Sequence, residues 1–354
     1  MSSISTQLGT FARGRFATGA IALVPIAALT TFGWTASASA YSLGGASDYN
    51  VFVLGDYDMF STDVEGKLAV GGSLTADTFG IGSKLRGDRH ATTLAVGGDV
   101  TLSNGKVYGD AVYGGSAVVA NNVGFEFLND DDSPIRRATI SQGSPIDFSV
   151  VGSELKSLAK TISSDAASYT SGVLTERYGD VALTTLSGTD SDLNIFNLTG
   201  DLFANLRKLT FDVPDTSKIV VNVSGTAATV SDFGFYFGDR DCNAEGIHMD
   251  CRDRSRDILF NFAEAELLEV TRVGFMGTIL APHAAVDFNN GHINGTLVAG
   301  SLSGTGESHL YTYNGDEPES STEVPEPGLL LGLAALVGLG SRYRQPKIAA
   351  TVEV

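Results

Sequence analysis

Three stretches early in the chain repeat one short pattern, an apolar run closed by glycine. They are Val64-Glu65-Gly66-Lys67-Leu68-Ala69-Val70-Gly71-Gly72, Thr93-Leu94-Ala95-Val96-Gly97-Gly98-Asp99-Val100 and Gly105-Lys106-Val107-Tyr108-Gly109-Asp110-Ala111-Val112-Tyr113-Gly114-Gly115. None is long enough to bury a face alone, so each must stack on a neighbour of its own kind. Short strands that turn at glycine, where a Cβ would clash or φ must be positive, are the units of a β-solenoid. The insertion at residues 83–90 makes the spacing uneven, as expected if loops bulge from the corners of a coil. A β-sandwich with glycine-rich turns has the same alternation and is the competing fold.

The pattern stops and returns late. Residues 274–288 and 291–302, which include Gly277-Thr278-Ile279-Leu280-Ala281-Pro282 and Ile293-Asn294-Gly295-Thr296-Leu297-Val298, are again rung-like. Between them the period changes: Val151, Leu155, Leu158 and Ile162 fall at i, i+4, i+7 and i+11, one face of an amphipathic helix over residues 147–166. Short alternating strands resume over 181–237. The spacing predicts a mainly β chain: a β-helix (solenoid)-like domain built from both ends of the sequence, with a flanking α-helix and the middle set to one side.

The two termini read differently. Arg13 and Arg15 precede an apolar stretch over residues 16–34, and the small residues that follow offer Ala38 and Ala40 in the A-x-A pattern of a signal-peptidase site. Residues 1–40 are therefore expected to be a signal peptide. At the other end Val324-Pro325-Glu326-Pro327 is followed by residues 328–340, which carry no charge, and then by Arg342 and Arg344. Those 13 residues form a short hydrophobic helix of only about 20 Å, against a bilayer core of roughly 30 Å. The arginines would stay on the cytoplasmic side. A polar linker at 316–323 separates this segment from the domain at 41–315, and a tail at 346–354 follows.

Val324-Pro325-Glu326-Pro327, the short Leu/Gly/Ala-rich span and the arginine pair resemble the PEP-CTERM sorting signal of Gram-negative bacteria. The resemblance implies transient insertion in the inner membrane, processing by an exosortase-type enzyme, and delivery to the cell surface or exopolysaccharide matrix. A departure is the tail at 346–354, beyond the arginines where that signal normally stops. Over nearly all of residues 45–315, Ser47-Asp48-Tyr49-Asn50-Val51-Phe52-Val53-Leu54-Gly55-Asp56, the helix opening with Ile146-Asp147-Phe148 and the late rungs resemble the choice-of-anchor A domain. That implies a β-helix-like adhesive domain, a family with no defined catalytic residues.

Charge excludes one class of partner. Of 23 Lys and Arg, two precede residue 41 and three follow 325; of 41 Asp and Glu, only Glu326 and Glu353 lie outside, so the stretch between carries about −21. Such a surface repels phosphate backbones and attracts cations, so nucleic acid is not an expected partner. The two cysteines, Cys242 and Cys251, are expected to close a local disulfide in a polar loop of an exported chain. A zinc site from both thiolates and His248 is the alternative, one ligand short of a structural site.

The residues offer no enzyme constellation. His90, His248, His283, His292 and His309 show no H-x-x-x-H spacing, and no serine sits in a G-x-S-x-G elbow. His283 and His292 would approach one another if the late rungs stack. Asn129-Asp130-Asp131-Asp132-Ser133 would suit calcium but lacks the EF-hand spacing; no cofactor is otherwise implied. The function expected is a non-enzymatic adhesive or structural module of an exported surface or matrix protein, with exopolysaccharide as a candidate ligand. The alternatives are a carbohydrate-active β-helix enzyme, a lyase or glycosidase, and an ice- or cation-binding solenoid. Ice binding needs a row of threonines at matched rungs, which Thr92, Thr93, Thr101, Thr278 and Thr296 do not establish.

Overall fold

The computed structural model describes residues 41–87, 92–166, 172–242 and 248–315. All lie in one of the two compact units of the chain, Ala38–Val354. The proposed signal peptide with Ala38 and Ala40 lies outside the described residues. So does everything from 316 onward, including Val324, Pro325, Glu326, Pro327, Arg342 and Arg344. No helix among the described residues is long and apolar enough to cross a membrane.

The protein is mainly β, with 21 strands in one curled sheet and five in a second. The strand Val51–Val53 pairs in parallel with Leu68–Val70, then come Thr92–Val96, Asp110–Tyr113 and Ile140–Gln142. On its other edge it takes residues 297–299, followed by 279–281, Ile258–Asn261, Lys218–Ser224 and Leu193–Thr199. The first strand of the domain thus sits in the middle of a stack whose lower half comes from the end of the chain. Each rung continues around a corner into a second stack, from Ala227–Ser231 through 285–288, 301–304 and 57–60 up to Ala117–Val119. A third stack runs from Gly274–Met276 through His292–Asn294 and Glu307–His309 to residues 79–81 and 105–107.

Residue pattern follows from which side each face presents. Val51, Val53, Leu68 and Val70 point into the coil, and Phe52, Ala69, Ala95, Leu280 and Val298 point out of the first face, yet all are buried. The outer row is covered by helix α1, Phe148–Ala166, through Leu155, Ala159 and Ile162. A strand buried on both sides reads as an unbroken apolar run, which is why these rungs lack polar alternation. The start of α1, open in the sequence, is fixed by Asp147: its Oδ1 accepts the Val150 N–H at 3.1 Å and the Ser149 hydroxyl at 2.7 Å, an N-cap. Near its other end, Asn261 Nδ2 donates to Ala159 O at 2.9 Å and to Asn222 Oδ1 at 3.0 Å. Asn222 is in register with both Asn197 and Asn261, so an amide ladder docks the helix.

Glycine is required where rungs turn from the first face to the second. A Cβ on Gly97 would fall on the carbonyl oxygen of Gly71, and one on Gly114 on that of Gly97. The next corner instead uses left-handed residues, Ser61, Thr78 and Asn104 above and Asp232, Arg272 and Asn290 below.

Two expectations need correction. Of the middle, α1 lies alongside the coil, while Leu193–Thr199, Lys218–Ser224 and Ala227–Ser231 rejoin it as its lowest rungs, because Phe196 and Val221 supply the same inward apolar positions as Phe260 and Ile279. Gly172–Tyr178, Val181–Ser187, Leu206–Asp212, Gly234–Phe237 and Arg240–Asp241 form the second sheet. The cysteines are not in a polar loop: they are joined as a disulfide with Cα atoms 5.6 Å apart, and Cys242 and Cys251 are both buried in the core.

The two halves meet at a seam held by buried Asn50. Its Nδ2 donates to Gly295 O at 3.0 Å and His309 O at 2.9 Å, while its Oδ1 accepts the Gly66 N–H at 3.1 Å. Thr62 adds a bond from its hydroxyl to Gly306 O at 2.6 Å. A buried polar group so satisfied is costly to remove, at about 1–3 kcal/mol for each partner left unpaired.

Candidate functional site

The first face is covered by α1, whereas among the described residues no element covers the second. Along its centre runs an in-register column of outward side chains: Thr229, Glu269, Asp287, Ser303, Asp58, Thr75, Thr101 and Val118. Successive members are one strand apart, about 4.8 Å. To one side lie Leu267, Ala285 and Ser301; to the other Thr271 and Asn289 below, and Phe60, Asp77 and Ser103 above. The inward partners Met59, Leu74, Ala76, Leu102, Val286 and Leu302 are all buried. Strict alternation with one solvated side therefore makes a flat, rigid array.

Six carboxylates, of Asp56, Asp58, Asp77, Asp99, Glu269 and Asp287, stand on this face and its glycine-lined edge, and the described residues of the face include no lysine or arginine. The guanidinium of Arg272, at the corner, is paired with Asp232 at 2.5 Å. Hydrogen bonds from the Ser103 hydroxyl and the Asn104 amide hold the Asp77 carboxyl below its ordinary range. The Ser116 backbone N–H and hydroxyl do the same for Asp99. Carboxylates lowered in this way stay ionised into mildly acidic solution.

The structure disperses most other candidates. Of the threonines, Thr93, Thr278 and Thr296 are buried and Thr101 is exposed beside Thr75, so the outward row is two long. His283 is exposed and does not meet His292; instead His292 stacks on His309, with ring centroids 4.7 Å apart. Disulfide bonding removes both cysteine thiolates from any zinc site. In the acidic turn, Asp132 pairs with Arg86 and Asp131 accepts the Ser133 hydroxyl at 2.6 Å. Among the described residues no group of three or more His, Cys, Asp or Glu is placed to hold a metal ion. A groove of about 750 Å³ beside Gly71, Gly97 and Gly114 is lined on its other side by residues 142–148. Its one carboxylate, Asp147, is already the cap of α1.

Residues 42–310 match the family described as "Putative Ice-binding-like adhesive domain". The chain belongs to this family. No curated protein matches it. Among solved structures, an ice-binding protein from the Antarctic ascomycete Antarctomyces psychrotrophicus is similar at 10% identity and a TM-score of 0.34, over 79% of this chain and 100% of that one. So distant a likeness says nothing about what this chain binds.

A family of adhesive domains directs attention to surfaces, and a second cluster lies on the third face at the seam. His309 Nδ1 is 3.1 Å from Asn294 Oδ1, and its Nε2 is 3.6 Å from Glu307. Glu65 accepts the Leu310 N–H at 2.9 Å. Asp63 accepts the Ser83 hydroxyl at 3.1 Å. Burial pushes the Asp63 carboxyl above its ordinary range, with the charges of Glu307 and Glu65 adding to the rise and Ser83 opposing it. Sequence spacing had no means of finding this group, since its members come from three separate strands.

A raised carboxyl favours the fold only while protonated; that contribution is lost as pH rises through the raised value. Replacing Asp63 by Asn should therefore raise the unfolding free energy at neutral pH by less than about 1 kcal/mol at this half-buried, solvent-screened position, and the melting temperature with it. The two melting curves should converge as pH falls through the carboxylate range. A variant that melts lower than the wild type at neutral pH would contradict this.

Proposed function

We propose that this domain is the non-enzymatic adhesive or scaffolding part of an exported bacterial surface or matrix protein, and that it adheres through the bare second face. The observation that carries the reading is that face itself: eight rungs of outward side chains in register on a buried core, with no covering element among the described residues. A rigid periodic array recognises by many weak, similar contacts, whose sum is adhesion. The adhesive description of the family supports this. A lyase would need a cationic group to stabilise the negative charge that develops on its substrate, and the described residues of the acidic face include no lysine or arginine. A glycosidase needs only a paired carboxyl acid and carboxylate, so absence of turnover is what separates adhesion from it.

The finer parts of the reading rest on resemblance. Residues 45–315 as a choice-of-anchor A β-solenoid fit the stacked rungs with α1 alongside. Export through residues 1–40 and surface delivery through the PEP-CTERM-like tail fit a disulfide-bonded adhesive domain. Ice is the second reading, favoured by the family's description and the flatness of the face. Its only run of adjacent outward threonines among the described residues is Thr75 and Thr101, with Thr229 standing apart at the foot of the column.

Residues 41–315, purified and incubated with a panel of matrix polysaccharides and with ice, should bind at least one polymer and release no reducing ends or unsaturated products. Turnover abolished by a single Asp→Asn change on the face would replace the adhesive reading with the enzymatic one. For the tail, changing Pro325, Glu326 and Pro327 together to alanine, with residues 328–344 intact, should leave an unprocessed form in the inner membrane. Wild-type processing and release of that variant would refute the sorting role.

A further inference from the structure

We propose that the bare face docks a polycation, an amino-sugar polymer with unblocked, protonated amines laid along the coil axis. This rests on the reading of that face as the adhesive surface and names its ligand class.

Three independent features converge. The first is charge: the face and its edge carry Asp56, Asp58, Asp77, Asp99, Glu269 and Asp287, while the described lysines and arginines lie on other surfaces or, like Arg272, are paired at a corner. Hydrogen bonding keeps two of these carboxylates ionised below their ordinary range. An anionic polymer meets uncompensated repulsion here, and a cationic one is attracted.

The second feature is apolar. Phe60, Val118 and Leu267 are 56%, 65% and 45% exposed. They lie on this same face, Val118 in the central column and Phe60 and Leu267 in the columns beside it. A hard metal ion gains nothing from such groups, whereas the C–H faces of a sugar ring pack against them, and a protonated amine is also attracted by the face of the Phe60 ring.

The third is period. Glu269 and Asp287 are adjacent in register, and Asp58 follows after Ser303. The carboxylates therefore recur along the axis at multiples of about 4.8 Å. Repeating charge at short, regular steps suits an extended repeating polymer better than the curved surface of a globular partner.

The test compares a glucosamine oligomer with its fully N-acetylated counterpart of equal length. The sugar backbone is the same; acetylation removes the charge and puts a neutral acetamide in its place, and the salt dependence and charge-reversal variants separate the loss of charge from the added bulk. The oligomer with free amines should bind and the acetylated one should bind at least about tenfold more weakly, a difference of about 1.4 kcal/mol. Binding should weaken with added salt. The triple change Asp58→Lys, Glu269→Lys and Asp287→Lys should abolish it. The triple change Glu154→Lys, Glu176→Lys and Asp180→Lys, equal in charge change but off the face, should leave binding within about twofold of the wild type, and Phe60→Ala should weaken it. Near-ultraviolet circular dichroism and melting curves identify a variant that has not folded; the unaltered domain with the two oligomers then decides alone.

Equal binding of both oligomers, unchanged by charge reversal, would overturn the cationic class and leave the adhesive reading standing. Binding of polylysine without the glucosamine oligomer would overturn it in favour of a basic peptide. Heat released by calcium alone, with no oligomer bound, would overturn it in favour of a metal ion. Failure of every polymer, charged or neutral, would remove both this inference and the adhesive reading.

Discussion

One pairing holds this domain together: the strand of residues 297–299 lying in register beside Val51–Val53. It joins chain segments some 245 residues apart, the separation of Asn50 from the Gly295 carbonyl it bonds. Closing so long a loop has an entropic cost that grows only slowly with length. Even so, no local contact can substitute for it. Without the pairing, the upper rungs would present an open edge at 51–53 and the lower rungs another at 297–299, each a row of unpaired backbone groups. Asn50, Thr62, Glu65 and Thr296 bond across the seam and fix its register. A slip of one residue would turn Val51 and Val53 outward and Phe52 inward.

From that register the difference between the faces follows. Because the stacks are aligned, the first-face rungs present Ala95, Ala69, Phe52, Val298 and Leu280 outward in one column, which continues below as Asn261, Asn222 and Asn197, and α1 packs along the apolar residues and bonds to the amides. The second face inherits the same alignment with no cover, so its outward residues form columns instead of scattered points. The asymmetry of one buried face and one bare face therefore comes from side-chain choice at equivalent positions: Phe52, Ala69 and Ala95 on one, Asp58, Thr75 and Thr101 on the other. The like charges gathered on the bare face repel one another, and hydrogen bonds such as those at Asp77 and Asp99 offset part of that repulsion.

Much of this was legible in the sequence. Glycine pairs announced the first corner because the clash they avoid is local to each rung, and the period of Val151, Leu155, Leu158 and Ile162 announced α1 because helix periodicity is local too. The return of rung-like sequence after residue 274 announced that both ends of the chain build one coil. Register was not legible, since it depends on which rung stacks on which across uneven insertions. Hence the columns of the bare face, the pairing of His292 with His309 instead of His283, and the amide ladder of Asn197, Asn222 and Asn261 emerged only from the structure. The burial of Cys242 and Cys251 was missed for a related reason. Their neighbours in sequence are polar, and the apolar atoms that enclose them come from elsewhere in the chain.

Hydrogen–deuterium exchange of the folded domain, read peptide by peptide near neutral pH, tests most directly whether the two chain-distant halves form one rigid body. If they do, amides in 51–53 and 68–70 and those in 258–261 and 279–281 should exchange only through one common opening, with the same protection. Asn50→Ala should lower the protection of both halves by the same factor. Protection that falls in one half while the other is unaffected would show two independently stable pieces in contact, and the seam could not then be what holds the bare face flat.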